Sequence, residues 1–190
     1  MTARAKADTR WIADFRSRYA AWWPGAAPLI EQHDYASAFK SYPWPAFTET
    51  PWTPFTKPLA ASRIGVVTTG GLYRTGHDLP FDGKAPDGDW SFRAIPAGTA
   101  IQTLAISHEH FPHETARADM NTIFPLDRLR ELEAGGEIGG LTPTHYSLMG
   151  YCTRAADIAL TTAPEIASPF TTPFAISSAP RPLVDAYKRC

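Results

Sequence analysis

The sequence predicts an α/β domain built on a mostly parallel sheet with flanking helices, preceded by an N-terminal aromatic helix. Three observations carry this expectation. Arg63 to Thr69 (RIGVVTT) is a β-branched run with little polar alternation, as in a strand buried on both faces, and it stops at the turn residues Gly70-Gly71. Pro125 stands at a first helical position before LDRLREL, whose leucines 126, 129 and 132 fall three apart, and Gly135-Gly136 supplies a stop. Short strand-like runs, Trp90 to Ile95 and Thr103 to Ser107, separate these two elements, so strands and helices share one stretch of chain.

Size and charge narrow the function classes. A chain of 190 residues with 44% hydrophobic content has enough apolar surface for a core. Its formal net charge of -1 gives no global field that would draw nucleic acid or an anionic membrane, so neither is an expected partner. The start MTARAKADTRW has no apolar signal core, and no stretch approaches the roughly 18 apolar residues of a membrane span, which makes the expected location cytoplasmic. The two cysteines, Cys152 and Cys190, form no CxxC pair; a disulfide framework is excluded and two free thiols are expected.

The remaining elements follow in order. Trp11, Ile12, Phe15, Tyr19, Trp22 and Trp23 recur mostly at three- and four-residue steps, predicting a helix from Asp8 to the breaker pair Pro24-Gly25, with a second from Pro28 to Lys40. Ser41 to Pro58 has a proline every few residues and reads as a non-repetitive strap, pinned to the body of the domain by Trp44, Phe47, Trp52 and Phe55. Beyond the central segment come a short strand or turn at Ile138 to Leu141, a loop at Thr142 to Tyr146, and helical turns from Thr153 to Ala167 interrupted at Pro164. The prolines at 169, 173, 180 and 182 mark an irregular tail. The resulting division is 1–58, helices and strap; 59–167, the α/β domain; 168–190, the tail.

Chemistry-bearing residues gather in three places. His108, His110 and His113 lie within one six-residue stretch. Imidazoles so spaced suit acid-base work near neutral pH or a divalent metal, the only cofactor expected; a hydrogen-bonded structural cluster is the third reading. Thr68-Thr69-Gly70-Gly71, with Tyr73 and Arg74 behind it, would present hydroxyls, backbone N–H groups and a guanidinium at a strand's C-terminal end, where α/β proteins bind ligands. The glycines are equally readable as plain turn residues. Thr144-His145-Tyr146 places a hydroxyl, an imidazole and a phenol in a loop expected to face the first across a cleft. Cys152, six residues on, would be a nucleophile beside His145 or a buried free thiol.

Three ordered blocks, VVTTGGLYRTGHDLPFD at 66–82, GDWSFRAIP at 88–96 and ISHEHFPHETARADMNTIFPLDRLRELEAGGEIGGLTPTHYSLMGY at 106–151, together resemble the glycine/betaine/sarcosine and D-proline reductase B subunit (selenoprotein B) family over residues 62–167. The resemblance implies a component of a multisubunit reductase that cleaves the α-carbon to nitrogen bond of glycine, betaine, sarcosine or D-proline, with other reductase subunits and a thioredoxin-like donor as partners. In that family a selenocysteine or cysteine following a further hydrophobic strand does the reducing. Here SPFTTP takes over from Ser168 and the strand is not evident, so no redox cysteine is identified and Cys152 is the one candidate. The expectation is an incomplete doubly wound domain, shortened by truncation or frameshift, catalytically compromised and with an exposed sheet edge. Residue chemistry then assigns catalysis to His108, His110, His145 and Tyr146, and substrate binding to Thr68, Thr69, Gly70, Gly71, Tyr73, Arg74, Asn121 and Thr144. The alternatives are a non-catalytic binding or assembly subunit, and a metal-dependent hydrolase using His108, His110 and His113.

Overall fold

The structure, a computed structural model, describes residues 8–46, 54–109, 111–170 and, for the backbone, 175–177. It divides into two compact units, Met1–Pro54 and Phe55–Cys190. Among the described residues no helix is long and apolar enough to cross a membrane.

In the first unit, α1 (Arg10–Glu31) runs straight through the expected stop and contains both Pro24 and Pro28. An interior proline removes a helix hydrogen bond and costs about 3 kcal/mol, so packing must offset it here. Trp22 packs on Phe39 and Tyr42, with centroids 5.6 and 4.9 Å away, and its Nε1 donates to the Ala38 carbonyl. The true end lies at His33, whose left-handed backbone (φ 61°) completes a Schellman turn: His33 and Asp34 N–H donate to the Ile30 and Leu29 carbonyls. Asp34 then caps α2 (Tyr35–Lys40) by accepting from Ser37 N–H. The strap begins by packing within this unit, Tyr42 against Trp44 and Arg18 Nη1 on the Pro43 and Trp44 carbonyls. Phe47 and Trp52 lie outside the described residues, and Phe55 is exposed.

The second unit is organised by β1 (Arg63–Thr68), which is parallel to β5 (Gly140–Leu141), β6 (Thr144–Leu148) and β7 (Ala175–Ser177). β3 (Phe92–Pro96) is antiparallel to β6. Thr144 to Leu148 is therefore strand, where the sequence suggests a loop through Tyr146. Its polar residues hide the pattern, because His145 and Ser147 are buried by hydrogen bonding rather than by apolar character. The tail also departs from expectation. Ala175–Ser177 pairs in parallel with Ile64, Gly65 and Val66, so a short strand stands where an irregular tail was expected. Prolines at 173 and 180 bracket it in sequence.

One face of the sheet carries the main core: Ile64, Val66 and Ile95 against Phe124, Leu126 and Leu129. The leucines come from α4 (Leu126–Ala134), which ends in a second Schellman turn, with Gly136 at φ 73° and Glu137 N–H on the Leu132 carbonyl. On the other face Tyr146 lies between Phe92 and Phe170. A Cβ on Gly65 would overlap the Phe170 ring, so this position must lack a side chain. Around Pro164 the chain does not break. α5 (Ala155–Asp157) and α6 (Ala163–Ala167) are joined by a π-turn, Ile158–Thr162, and Ala163 N–H reaches back to the Ile158 carbonyl just before the proline that has no donor. The strand expected at 103–107 forms β4 (Leu104–Ile106), which pairs with β2 (Leu72–Arg74) in a separate two-stranded sheet. α3 (Glu114–Ala118) follows the histidine-rich stretch.

Candidate functional site

Because β1 and β6 are parallel, their C-terminal ends lie side by side and bring Thr68–Gly71 against Leu148–Gly150, the position at which α/β sheets bind ligands. Gly71 N–H donates to the Leu148 carbonyl at 2.9 Å, Gly70 bridges to Met149, and the Gly71 carbonyl accepts from Ser107 N–H. Two buried hydroxyls complete the join. Thr68 Oγ1 donates to the Ile123 carbonyl and accepts from Gly70 N–H, and Ser147 Oγ accepts from Leu72 N–H at 2.7 Å.

These bonds correct two expectations. The N–H groups of Gly70, Gly71 and Leu72 are all engaged within the protein, so the double glycine is a turn and not an anion cradle. Arg74 is not a free clamp either: its Nε and Nη2 grip Asp78 at 2.9 and 2.7 Å, and its N–H bonds the same carboxylate. Those bonds hold the Asp78 carboxyl below its ordinary range. Tyr73, in β2, is half-buried.

His108 is the imidazole that reaches this edge. Its side chain is only 4% exposed and meets the Phe111 ring edge-on. Two glycines make room for it: a Cβ at Gly71, whose φ is 67°, would stand 2.8 Å from His108 Cβ, and one at Gly150 would stand 2.8 Å from Nε2 and 3.2 Å from the Thr69 carbonyl. His113 points elsewhere. Its Nε2 donates to the His108 carbonyl and its Nδ1 accepts from Arg117. His110 lies outside the described residues, and among the described residues no group of three or more metal-type side chains converges. Ser107 Oγ donates to the Phe81 carbonyl, and Arg93 lies over the Phe81 ring while bonding the Leu79 carbonyl. The segment between β2 and β3 is thereby held beside the edge.

The other predicted residues are dispersed. Thr144 stands opposite Pro96 at the start of β6, the end away from this edge. Tyr146 faces the opposite side of the sheet, and burial pushes its phenol pKa up. His145 is wholly buried inside the sheet, its Nδ1 accepting from Val66 N–H at 3.0 Å. Asn121 accepts from Asp127 N–H and donates to Asp119, and so braces the first turn of α4. Cys152 is half-buried, bridged to Gly88, with its thiol pKa pushed up by burial, which disfavours the thiolate that nucleophilic or redox chemistry needs. Ser147 and Gly150 belong to the edge but were not legible as site residues. Reading 144–148 as a strand would have placed Ser147 on the face shared by His145, two residues away.

At this edge the His108 imidazole and the Thr69 carbonyl both border the space that a side chain at Gly150 would fill.

A family model described as glycine/sarcosine/betaine reductase selenoprotein B matches residues 29–172. The chain is similar to the D-proline reductase subunit gamma of Acetoanaerobium sticklandii, 33% identical over 61% of this chain and 46% of that protein. It is also similar to the glycine reductase complex component B subunit gamma of Carboxydothermus hydrogenoformans, 31% identical over 62% and 27% of the two chains. The betaine reductase complex component B subunit beta of Peptoclostridium acidaminophilum is 36% identical over 54% of this chain and 24% of its own length. The matched region thus spans less than half the length of these relatives. No solved structure matches the chain.

Proposed function

Since the chain belongs to the glycine/sarcosine/betaine reductase selenoprotein B family, we propose that it serves as a component of a multisubunit reductase that cleaves the α-carbon to nitrogen bond of glycine, betaine, sarcosine or D-proline. The observation that carries this reading is the match over residues 29–172, which includes every element of the edge at His108. In this reading the edge holds the amine substrate, and His108 supplies a proton to the departing nitrogen. The electrons come from elsewhere. Cys152 is disfavoured as a thiolate by its burial. In this reading the chain alone is a compromised catalyst that depends on a redox-bearing partner subunit and a thioredoxin-like donor.

The test is reconstitution. The chain is combined with the other subunits of such a reductase and a dithiol, and carbon–nitrogen cleavage is followed for each of the four substrates. Turnover is expected for one of them, only with the partner present, and His108→Gln is expected to lower kcat by about 100-fold or more, the usual loss for a general acid. Turnover by the isolated chain would refute the division of labour, and neither complex nor turnover with any partner and substrate would sink the assignment.

A purely assembling role has one observation in its favour. Tyr19 and Trp23 are exposed on α1, in a stretch that precedes the matched region. A stable complex formed equally well by the His108→Gln protein, with no substrate cleaved by either form, would favour that role.

A further inference from the structure

The register between β1 and the chain beside it slips by two residues, from Arg63 opposite Gly140 to Val67 opposite Tyr146. Thr142-Pro143 lies at the slip. Thr142 N–H still reaches the Ile64 carbonyl at 2.9 Å, but nearby carbonyls are turned away: that of Pro143 accepts from Ala97 N–H and that of Thr144 from the Thr142 hydroxyl. The next N–H along the same flank of β1 belongs to Val66, and it meets His145 Nδ1 at 3.0 Å. An imidazole thus stands where a parallel ladder would place a carbonyl. Without it, a buried N–H would lack an acceptor, at a cost of about 1–3 kcal/mol.

A ring nitrogen accepts a hydrogen bond only while unprotonated. The bond therefore requires the tautomer with the proton on Nε2, and that N–H is fully buried with no partner among the described residues. The surroundings disfavour a cation. Phe124 meets the ring edge-on, and the facing residues Val66 of β1 and Ile95 of β3 carry no charge. From α4 the Arg130 guanidinium adds positive potential, and Asp127 on the same helix is paired with that arginine.

We propose that His145 is an acid-operated latch between β1 and β6: protonation converts Nδ1 from acceptor to donor, sets it against Val66 N–H, and opens the paired strand ends that carry Thr68–Gly71 and Ser147–Gly150. Burial, with Arg130 second, pushes the pKa of His145 in the closed sheet down to about 4 from its ordinary 6.5. The open state binds the proton more readily, so the latch is fully effective above pH 6.5, weakens as pH falls, and has lost its contribution below pH 4. This device does not depend on which reaction the edge serves.

Nitrogen-15 NMR of the full chain between pH 7 and pH 4 tests it, reading the His145 tautomer and the hydrogen-exchange protection of the Val66 amide. At neutral pH the Nε2–H tautomer and a protected Val66 amide are expected; below pH 6.5, protection should fall by up to about tenfold per pH unit. His145→Gln, whose amide oxygen can accept the same bond without titrating, should keep Val66 protected over this range. The proposal is overturned by an Nδ1–H tautomer at neutral pH, or by wild-type protection that follows the same curve as His145→Gln. Should that variant fail to fold, a wild-type Val66 amide indifferent to His145 protonation overturns it equally.

Discussion

His108 and His145 are both buried imidazoles, yet the protein holds them in opposite ways. His108 sits at the strand ends, in space left by the missing side chains of Gly71 and Gly150. His145 sits inside the sheet and replaces a missing main-chain acceptor. The first packs against the ends of the strands, whereas the second is part of the sheet. A histidine near a strand end is therefore informative about function only once the partners of both ring nitrogens are known.

Removing the imidazole within the sheet should have the largest effect. His145→Ala strips Val66 N–H of its acceptor and leaves a cavity, with an expected loss of about 3 kcal/mol in urea unfolding at pH 7. A loss below about 1 kcal/mol would mean that the sheet closes without the ring and would erase the contrast. Gly150→Ala is expected to cost less, about 1–2 kcal/mol by the same measurement, because the new methyl group displaces one ring and not a strand. Its signature should be at His108, whose imidazole NMR resonances shift while those of His145 stay in place. Least affected should be Arg74→Ala. It breaks a partly exposed ion pair of about 1 kcal/mol, and substrate affinity should hold within about twofold if the guanidinium belongs to Asp78 and not to a ligand. The Asp78 carboxyl is held below its ordinary value, so its contribution is present at neutral pH and lost only as the pH falls below about 4.

Much of the framework was readable from local signals. The β-branched run at β1, the leucine spacing and glycine stop of α4, and the strand at β3 depend on features that neighbouring residues carry themselves. The misreadings share a different cause. Pro24 and Pro28 end a helix by local rule, and only the rings of Phe39 and Tyr42, together with the Ala38 carbonyl, show why α1 continues. β6 was hidden because His145 and Ser147 are buried through hydrogen bonds to Val66 and Leu72, residues more than seventy positions away. Arg74 was readable as a cation but not as one already held by Asp78, four residues on. His108 was singled out by its residue type, while the two glycines that make room for it are meaningful only when the strand ends are brought together.

Gly65 has a consequence for the chain that follows the helices. The Phe170 ring rests on the bare backbone of β1, and β7 begins five residues later, within a reach of about 17 Å. Phe170 is thus seated on the same stretch of β1, Ile64 to Val66, with which Ala175–Ser177 pairs. A side chain at position 65 would therefore displace the ring that precedes the strand and disturb the strand's own pairing partner at once.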